Sequence, residues 1–369
     1  MHRRRNPRYL QEPDPAQLGR RIVQDFLSRV FLAMQQKSVF VISTGGTITM
    51  TRGDSAGVVP TLTGEDLVRA VPALAQIAAL DVFSFSTKPG ASLTLEDLIG
   101  IAELIDSRPV DAVAGAVVVQ GTDTIEETSF ALDLLVHSRQ PVVVTGAMRS
   151  ANAPGADGPA NLLAAVTVAS DPAAQNLGAV VVLNDEVHAA RYVQKTHTAM
   201  PSAFASPGFA PLGRVMEGRL QLQATLPRQL TLPRPGNVSD FPVALIKISI
   251  GDDGRLLSSL PALGYRGAVI EAMGAGHVPA RLVDAISKLI GVMPVVLSTR
   301  VASGPIFTKT YGFPGSEIDL IERGVIPGGC LAGLKACLLL RLLLANGFEG
   351  AQLKFAFAQR CNGLNTPPT

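Results

Sequence analysis

Charge, cysteine and long apolar runs are all scarce in this chain of 369 residues. Charged residues make up 17% against 47% hydrophobic, which excludes a self-repelling disordered polymer and leaves a globular chain with a large core. The 32 basic and 30 acidic side chains nearly cancel to a net charge of +2. With no basic field to hold phosphates, no nucleic-acid partner is expected. The cysteines are Cys330, Cys337 and Cys361, odd in number and without CxxC spacing. That pattern argues against a disulfide framework or a zinc ribbon, and for reduced thiols in a cytoplasmic protein. No apolar run reaches the ~20 residues of a membrane span, so no membrane partner is expected. The opening MHRRRNPRYLQEPDPAQLGRR is basic like an export signal, yet VFLAM is too short for an apolar signal core and no small-residue cleavage site follows. Residues 1–36 therefore read as an N-terminal extension, either a helix or mobile arm, or a stretch ahead of a start at Met34.

From Lys37 onward, short Val-rich runs alternate with segments of helical spacing. SVFVIS (38–43), DVFSFS (81–86), AGAVVVQ (114–120), PVVVTG (141–146) and GAVVVLN (178–184) read as strands. Between them lie the helical patterns of 66–80, 93–107, 124–138 and 160–170, the second with Thr94 as a cap and Asp97 three residues on. Such alternation specifies an α/β fold with a parallel sheet covered on both faces. A stretch rich in Pro, Gly and polar residues breaks the pattern between about 205 and 240, and the alternation then resumes at smaller size. The organisation expected is a larger N-terminal α/β domain over 37–213, a linker over 214–240 and a smaller C-terminal α/β domain over 241–369. GLKACLLLRLLLANG (333–347) is apolar nearly all round, and is expected in the core or at an oligomer interface.

Open parallel sheets bind ligands outside the carboxyl ends of their strands, near the point where the strand order reverses. Three polar, glycine-bearing segments fall at such ends: Thr44-Gly45-Gly46-Thr47, Gln120-Gly121-Thr122-Asp123-Thr124 and Thr145-Gly146-Ala147-Met148-Arg149. TGGTIT is not GxGxxG and lacks the lysine of a phosphate-binding loop, which disfavours a nucleotide. The alternative is nucleophilic catalysis by a hydroxyl. A threonine used this way needs a proton acceptor, an orienting partner and a donor for the developing oxyanion. Thr122 and Asp123 supply polar partners, and Lys195 in ARYVQKTHT is a candidate cation. His188 and His197, with Asp185 and Glu186 nearby, suit no common zinc spacing and read as loop residues, so neither metal nor cofactor is expected.

TGGTI, GTDT followed by EET, PVVVTGAMR, ADGPANLLAAV and the ARxVxKTHT pattern together resemble the bacterial-type asparaginase/glutaminase family over about Ser38 to Lys354. The resemblance implies a two-domain α/β fold and hydrolysis of the L-asparagine side-chain amide to aspartate and ammonia without metal or cofactor. It implies Thr47 as the nucleophile and Thr122, Asp123 and Lys195 as a second catalytic group. Gly46, Gly90, Gly121, Thr122 and Asp123 would line the substrate, with Asp123 receiving its α-amino group. It also implies a homo-oligomer, a dimer or tetramer with active sites between subunits. The chain departs from the family in places. The lid after the nucleophile (49–62) carries Val58 where a tyrosine is usual, and no tyrosine occurs between Tyr9 and Tyr192. Gly90 stands at the usual substrate-carboxylate serine, with Ser92 two residues on, and Gln120 replaces a histidine. RVASGPIFTKTYGF has no acidic residue where the family can lend a glutamate to a neighbouring site, and Tyr311 sits near that place. A related amide or lactam as substrate, or a binding protein with impaired turnover, are the alternatives these departures leave open.

Overall fold

The structure is a computed structural model that describes residues 37–46, 50–52, 58–60 and 63–361, with backbone alone at 50–52 and 58–60. The expected N-terminal extension and Thr47 lie outside the described residues. The first domain carries strands β1 (Ser38–Ser43), β4 (Leu80–Ser84), β5 (Val113–Val119), β6 (Val142–Thr145), β7 (Ala179–Leu183), β8 (Glu186–Ala189), β11 (Gly213–Met216) and β12 (Arg219–Leu222) in one sheet. Two hairpins stand apart from it: β2 (Met50–Arg52) with β3 (Val58–Pro60), and β9 (Gln194–Lys195) with β10 (Phe204–Ala205).

The sheet order is β12-β11-β8-β7-β6-β5-β1-β4. The pairings from β4 through β7 are parallel; those from β7 to β12 are antiparallel. A five-stranded parallel core of doubly wound order is thus extended by three antiparallel strands. The extension follows from two tight turns. Asn184 and Asp185 join β7 to β8 with φ of 51° and 61°, and Glu217 and Gly218 join β11 to β12 with φ of 50° and 71°. Positive φ at both central residues is the turn that matches the twist of a hairpin, so the chain reverses there instead of crossing over. Residues 213–222, which the polar composition places at the start of a linker, accordingly belong to the sheet.

Side chains alternate across this sheet. Phe40, Ile42, Val118 and Val144 face one core with α2 (Leu95–Asp106) and α3 (Ile125–Leu135). Val39, Val41, Val117 and Val143 face another, covered by α1 (Gly64–Arg69) and α4 (Gly158–Ser170). Both faces are dry, hence the unbroken valine runs. Thr94 caps α2 in a full capping box with Asp97. The helical pattern at 66–80 is interrupted instead: α1 stops at Arg69, and Pro72 opens a short 3-10 turn over Pro72–Gln76. Proline has no N–H to continue the ladder, and it disfavours the helical region for the residue before it.

The second domain has a parallel sheet β13-β14-β15-β16 made of Val243–Lys247, Gly267–Ala272, Val295–Thr299 and Ile326–Pro327. One face packs on α5 (Arg255–Ser259), α6 (Val283–Ile290) and α7 (Glu317–Glu322). The other carries α8 (Gly333–Ala345), beside which lies α9 (Gly350–Cys361). Helix α8 also packs against α3 of the first domain, which explains its nearly all-round apolar surface. No described helix is long and apolar enough to cross a membrane. The three cysteines are free thiols.

Asp106, at the end of α2, ties the domain to the chain that leads to the second one. Its carboxylate accepts the amides of His137 at 2.9 Å and Ser138 at 2.9 Å and pairs with Arg234 at 2.5 Å. Burial alone would raise its pKa, but these partners prevail and hold the carboxyl below the ordinary aspartate value. The folded state therefore binds the proton less tightly than the unfolded chain, which titrates near ~3.9. This contribution is intact at neutral pH and is lost as pH falls through about 4 and below. Asp106→Ala is expected to destabilise by about 2 kcal/mol at pH 7. Asp106→Asn should flatten the decline in urea-unfolding stability below about pH 4, and an unchanged pH slope would show that the carboxylate is not responsible.

Candidate active site

The parallel core runs β4-β1-β5-β6-β7, so the chain passes from β1 to β4 on one side and then crosses back to β5 on the other. The strand order reverses between β1 and β5, and a crevice is expected beyond their carboxyl ends. All three glycine-bearing turns meet near that place. Gly46 follows β1 with φ of 93°, and a Cβ built there would lie 2.0 Å from the amide nitrogen of Gly121. Across the same turn, a Cβ on Gly90 would lie 2.7 Å from the carbonyl oxygen of Gly121, and one on Gly121 would lie 2.7 Å from the nitrogen of Gly90. A Cβ on Gly146 would lie 2.5 Å from the carbonyl oxygen of Gln120. Main chain packs directly on main chain, which glycine alone permits.

Polar side chains hold these loops in place. Thr124 Oγ1 donates to Gly90 O at 2.9 Å and accepts from Gln120 Nε2 at 3.2 Å, while Ser86 Oγ donates to Thr44 O at 2.9 Å. Gln120 is fully buried, and its amide also reaches Gly121 O at 3.1 Å, so this residue braces the turn from beneath. Gly90 is buried in a short 3-10 turn that ends at the exposed Ser92. Lys88 pairs with Asp97 at 2.7 Å and fastens the same loop to the start of α2. Behind Thr122, the third turn is locked by Asp157, which accepts the amides of Met148 and Arg149, and by Asn161 Nδ2 on Gly146 O. Gln120 and Thr124 belong to one of the three glycine-bearing segments, whereas the contact of Thr124 with Gly90 spans 34 residues and that of Lys88 with Asp97 spans 9, and no motif marks Lys88.

Thr122, Asp123 and Lys195 come together in the structure. The Lys195 ammonium donates to Thr122 Oγ1 at 3.0 Å and to Asp123 Oδ1 at 2.6 Å, across more than seventy residues of sequence. Thr122 is 6% exposed, whereas the Asp123 side chain is 67% exposed. The hydroxyl thus stands in a protein-lined position, and the carboxylate retains open valence toward solvent. Lys195 reaches the site from β9, which β10 pairs through Phe204. Asp123, Lys195, Thr196, His197 and Thr198 line an opening of about 500 Å³. A cavity of about 510 Å³ in the second domain, lined by Tyr265, Arg266, Phe348 and Lys354 among others, contains none of these groups.

Other candidates fall elsewhere. Val58 begins β3, opposite Arg52, and the lid glycines Gly53 and Gly57 lie outside the described residues. Tyr311 is 41% exposed on the second domain, edge-on to His277 at 4.7 Å between ring centres. Behind it, the buried Glu317 accepts the amides of Thr310 and Tyr311 and faces His277 at 3.3 Å. Burial pushes the Glu317 carboxyl up, yet those amides and His277 bring it below its ordinary value. His188, read as a loop residue, instead sits in β8 at 1% exposure, with Nδ1 3.0 Å from Ser206 Oγ. Burial lowers its pKa. Strand alternation puts it on the same face as Glu186, whose carboxylate lies 3.5 Å from Nε2, so its burial comes from what covers that face and not from the pattern of EVHA. His197 accepts the amides of Ala199 and Met200 on Nδ1. Among the described residues, no group of three or more His, Cys, Asp or Glu is arranged to hold a metal ion.

Two α/β domains with a hydroxyl, a carboxylate and an ammonium at the switch point fit the class that the resemblance implies, the amidohydrolases. Residues 38–228 match the family described as asparaginase, N-terminal, and residues 242–357 match the glutaminase/asparaginase C-terminal domain. The L-asparaginase of Bacillus licheniformis is 33% identical over 329 residues, covering 87% of this chain and 99% of its own. L-asparaginase 2 of Escherichia coli (strain K12) is 34% identical, covering 89% and 94%. A protein of Haemophilus influenzae named probable L-asparaginase periplasmic is 32% identical, covering 83% and 88%. The chain belongs to the asparaginase family.

The close approach at Gly121 can be tested without disturbing backbone dihedrals, because its φ of −67° suits any residue. Gly121→Ala is expected to lower stability by about 1–3 kcal/mol through overlap with the backbone of Gly90 and close approach to Gly46. Urea unfolding measures it, and an unchanged midpoint would show that the loops yield freely.

Proposed function

We propose that this protein hydrolyses the side-chain amide of L-asparagine to L-aspartate and ammonia, with Thr47 as nucleophile. The observation that carries the reading is the contact of Lys195 with both Thr122 and Asp123 at the β1–β5 switch point, beside the glycine-only crevice. Thr47 directly follows Gly46, whose backbone abuts Gly121. In this reading the Thr47 hydroxyl attacks the amide carbon and the amide nitrogen leaves as ammonia with a proton relayed to it. Water then cleaves the acyl ester, releasing aspartate and restoring the hydroxyl. Thr122 and Lys195 form a proton relay on the opposite side of the substrate, and the exposed Asp123 carboxylate takes the α-amino group. The main chain at Gly46, Gly90 and Gly121 lets substrate lie against backbone.

The domain with this chemistry, expected over 37–213, is taken to extend through β12 at Leu222, with 223–240 joining it to a second domain at 241–369. The organisation proposed is a homo-oligomer, supported by exposed Val301, Phe307, Tyr311 and Phe313 on one loop of the second domain. A cytoplasmic location is proposed on the three free thiols. Valine at position 58 supports a second reading, a binding protein with impaired turnover, because an alkyl side chain neither donates nor accepts a proton.

Thr47→Ala and Lys195→Ala are each expected to reduce ammonia release from L-asparagine by about three orders of magnitude or more. Normal turnover by Thr47→Ala would overturn the nucleophile. A thermal shift with L-aspartate, together with no ammonia from asparagine, glutamine or their D-isomers, would favour the binding protein.

A further inference from the structure

Helix α8 contains a lysine that its neighbours do not explain. Lys335 lies among the leucines of GLKACLLLRLLLA at 0% exposure, where an apolar side chain would pack without desolvating a charge. Its ammonium donates to the carbonyl of Val193, a buried residue two positions ahead of Lys195. The groups facing Lys335 are Glu126, Glu127 and Asp133, all on α3, the helix that begins just after Thr122 and Asp123. Asp133 also faces Arg191 and Arg228 and accepts the Ala179 amide at 3.0 Å.

Glu126 joins both lysines. Its carboxyl is raised by burial, and the Lys335 charge, the Lys195 backbone N–H and the Lys195 charge all oppose that rise. Glu127 is pushed up to about 7 by burial and by Glu126, and its Oε2 is buried without a hydrogen-bond partner. Burial pulls Lys335 itself down to about 8 against the three carboxylates. A second contact reaches the same strand from the second domain, where Gln194 Nε2 donates to Ala302 O at 3.3 Å.

We propose that Lys335, with Glu126, is a positioning residue for Lys195, fixing the main chain of Val193–Lys195 from the second domain so that the Lys195 ammonium meets Thr122 and Asp123. The consequence for turnover rests on the reading of Lys195 as part of the catalytic relay; the pinning of the strand does not. Since Lys335 acts through Lys195 and does not touch the substrate, its loss should act mainly on the chemical step, with a smaller effect on binding through Asp123.

The test uses the full-length protein. Lys335→Met is expected to lower kcat for L-asparagine about tenfold or more, with KM changed by less than about threefold, well below its Tm. Placed in a Lys195→Ala background, the same substitution should change the residual rate by less than about twofold. Amide hydrogen exchange in the 193–196 segment should rise in Lys335→Met beyond exchange in β13–β15. If Lys335→Met fails to fold, Lys335→Met/Glu127→Gln removes charge of both signs and is read in the same ways. A folded variant with unchanged kcat and unchanged exchange at 193–196 overturns the proposal, as does an equal loss in both Lys195 backgrounds. A wild-type protein without ammonia release would sink the amidase reading alone, since the exchange measurement still decides whether Lys335 pins the strand.

Discussion

The structure depends on the contact between peptide planes at Gly46, Gly90 and Gly121. A Cβ at any of these positions would fall within 2.7 Å of a backbone atom, so glycine is what lets the loops after β1, β4 and β5 approach one another as closely as they do in this chain. The site's remaining geometry follows from that closure. Thr122 and Asp123 begin the short turn leading into α3, and their place in space is set by where Gly121 rests. The parallel core supplies the reason these loops are neighbours: β1 lies between β4 and β5, and all three strands end on the same side.

Two chemically different devices stabilise the arrangement. Neutral hydrogen bonds from Thr124, Gln120, Ser86 and Asn161 satisfy carbonyls that a loop would otherwise bury unpaired. Charges act at longer range, through Lys88 with Asp97 and the buried Lys335 with its carboxylates. The second device brings α8 of the C-terminal domain against α3, and so makes the second domain part of the first domain's site. A leucine-rich helix with one lysine fits a role at a boundary between two cores, buried along most of its length but not at Leu334, with the lysine donating to main chain.

The departures that the resemblance implies fall at the lid and at the end of the site proposed for the substrate carboxylate, where position 58 is valine and position 90 is glycine, while Lys195 contacts both Thr122 and Asp123. Gln120 takes on a bracing role under Gly121, for which a primary amide serves because it donates to Gly121 O and Thr124 Oγ1 together.

The sequence by itself determined the elements whose causes are local. Unbroken valine runs marked the core strands, Thr94 and Asp97 marked the start of α2, and the three glycine-bearing turns marked loops that the structure brings together. Even there, Pro72 ended a helix that apolar spacing alone extends to residue 80, since a missing N–H outweighs the pattern. Composition read 205–240 as linker, but Glu217 and Gly218 make a tight reversal that returns the chain to the sheet. Only the tertiary structure decided that Lys195 meets Thr122, that His188 is buried in a strand, and that Lys335 reaches Val193 across 142 residues. Local propensity is carried by neighbours in sequence, whereas pairing of distant polar groups is set by which strands adjoin and which helices pack, and no spacing along the chain encodes that.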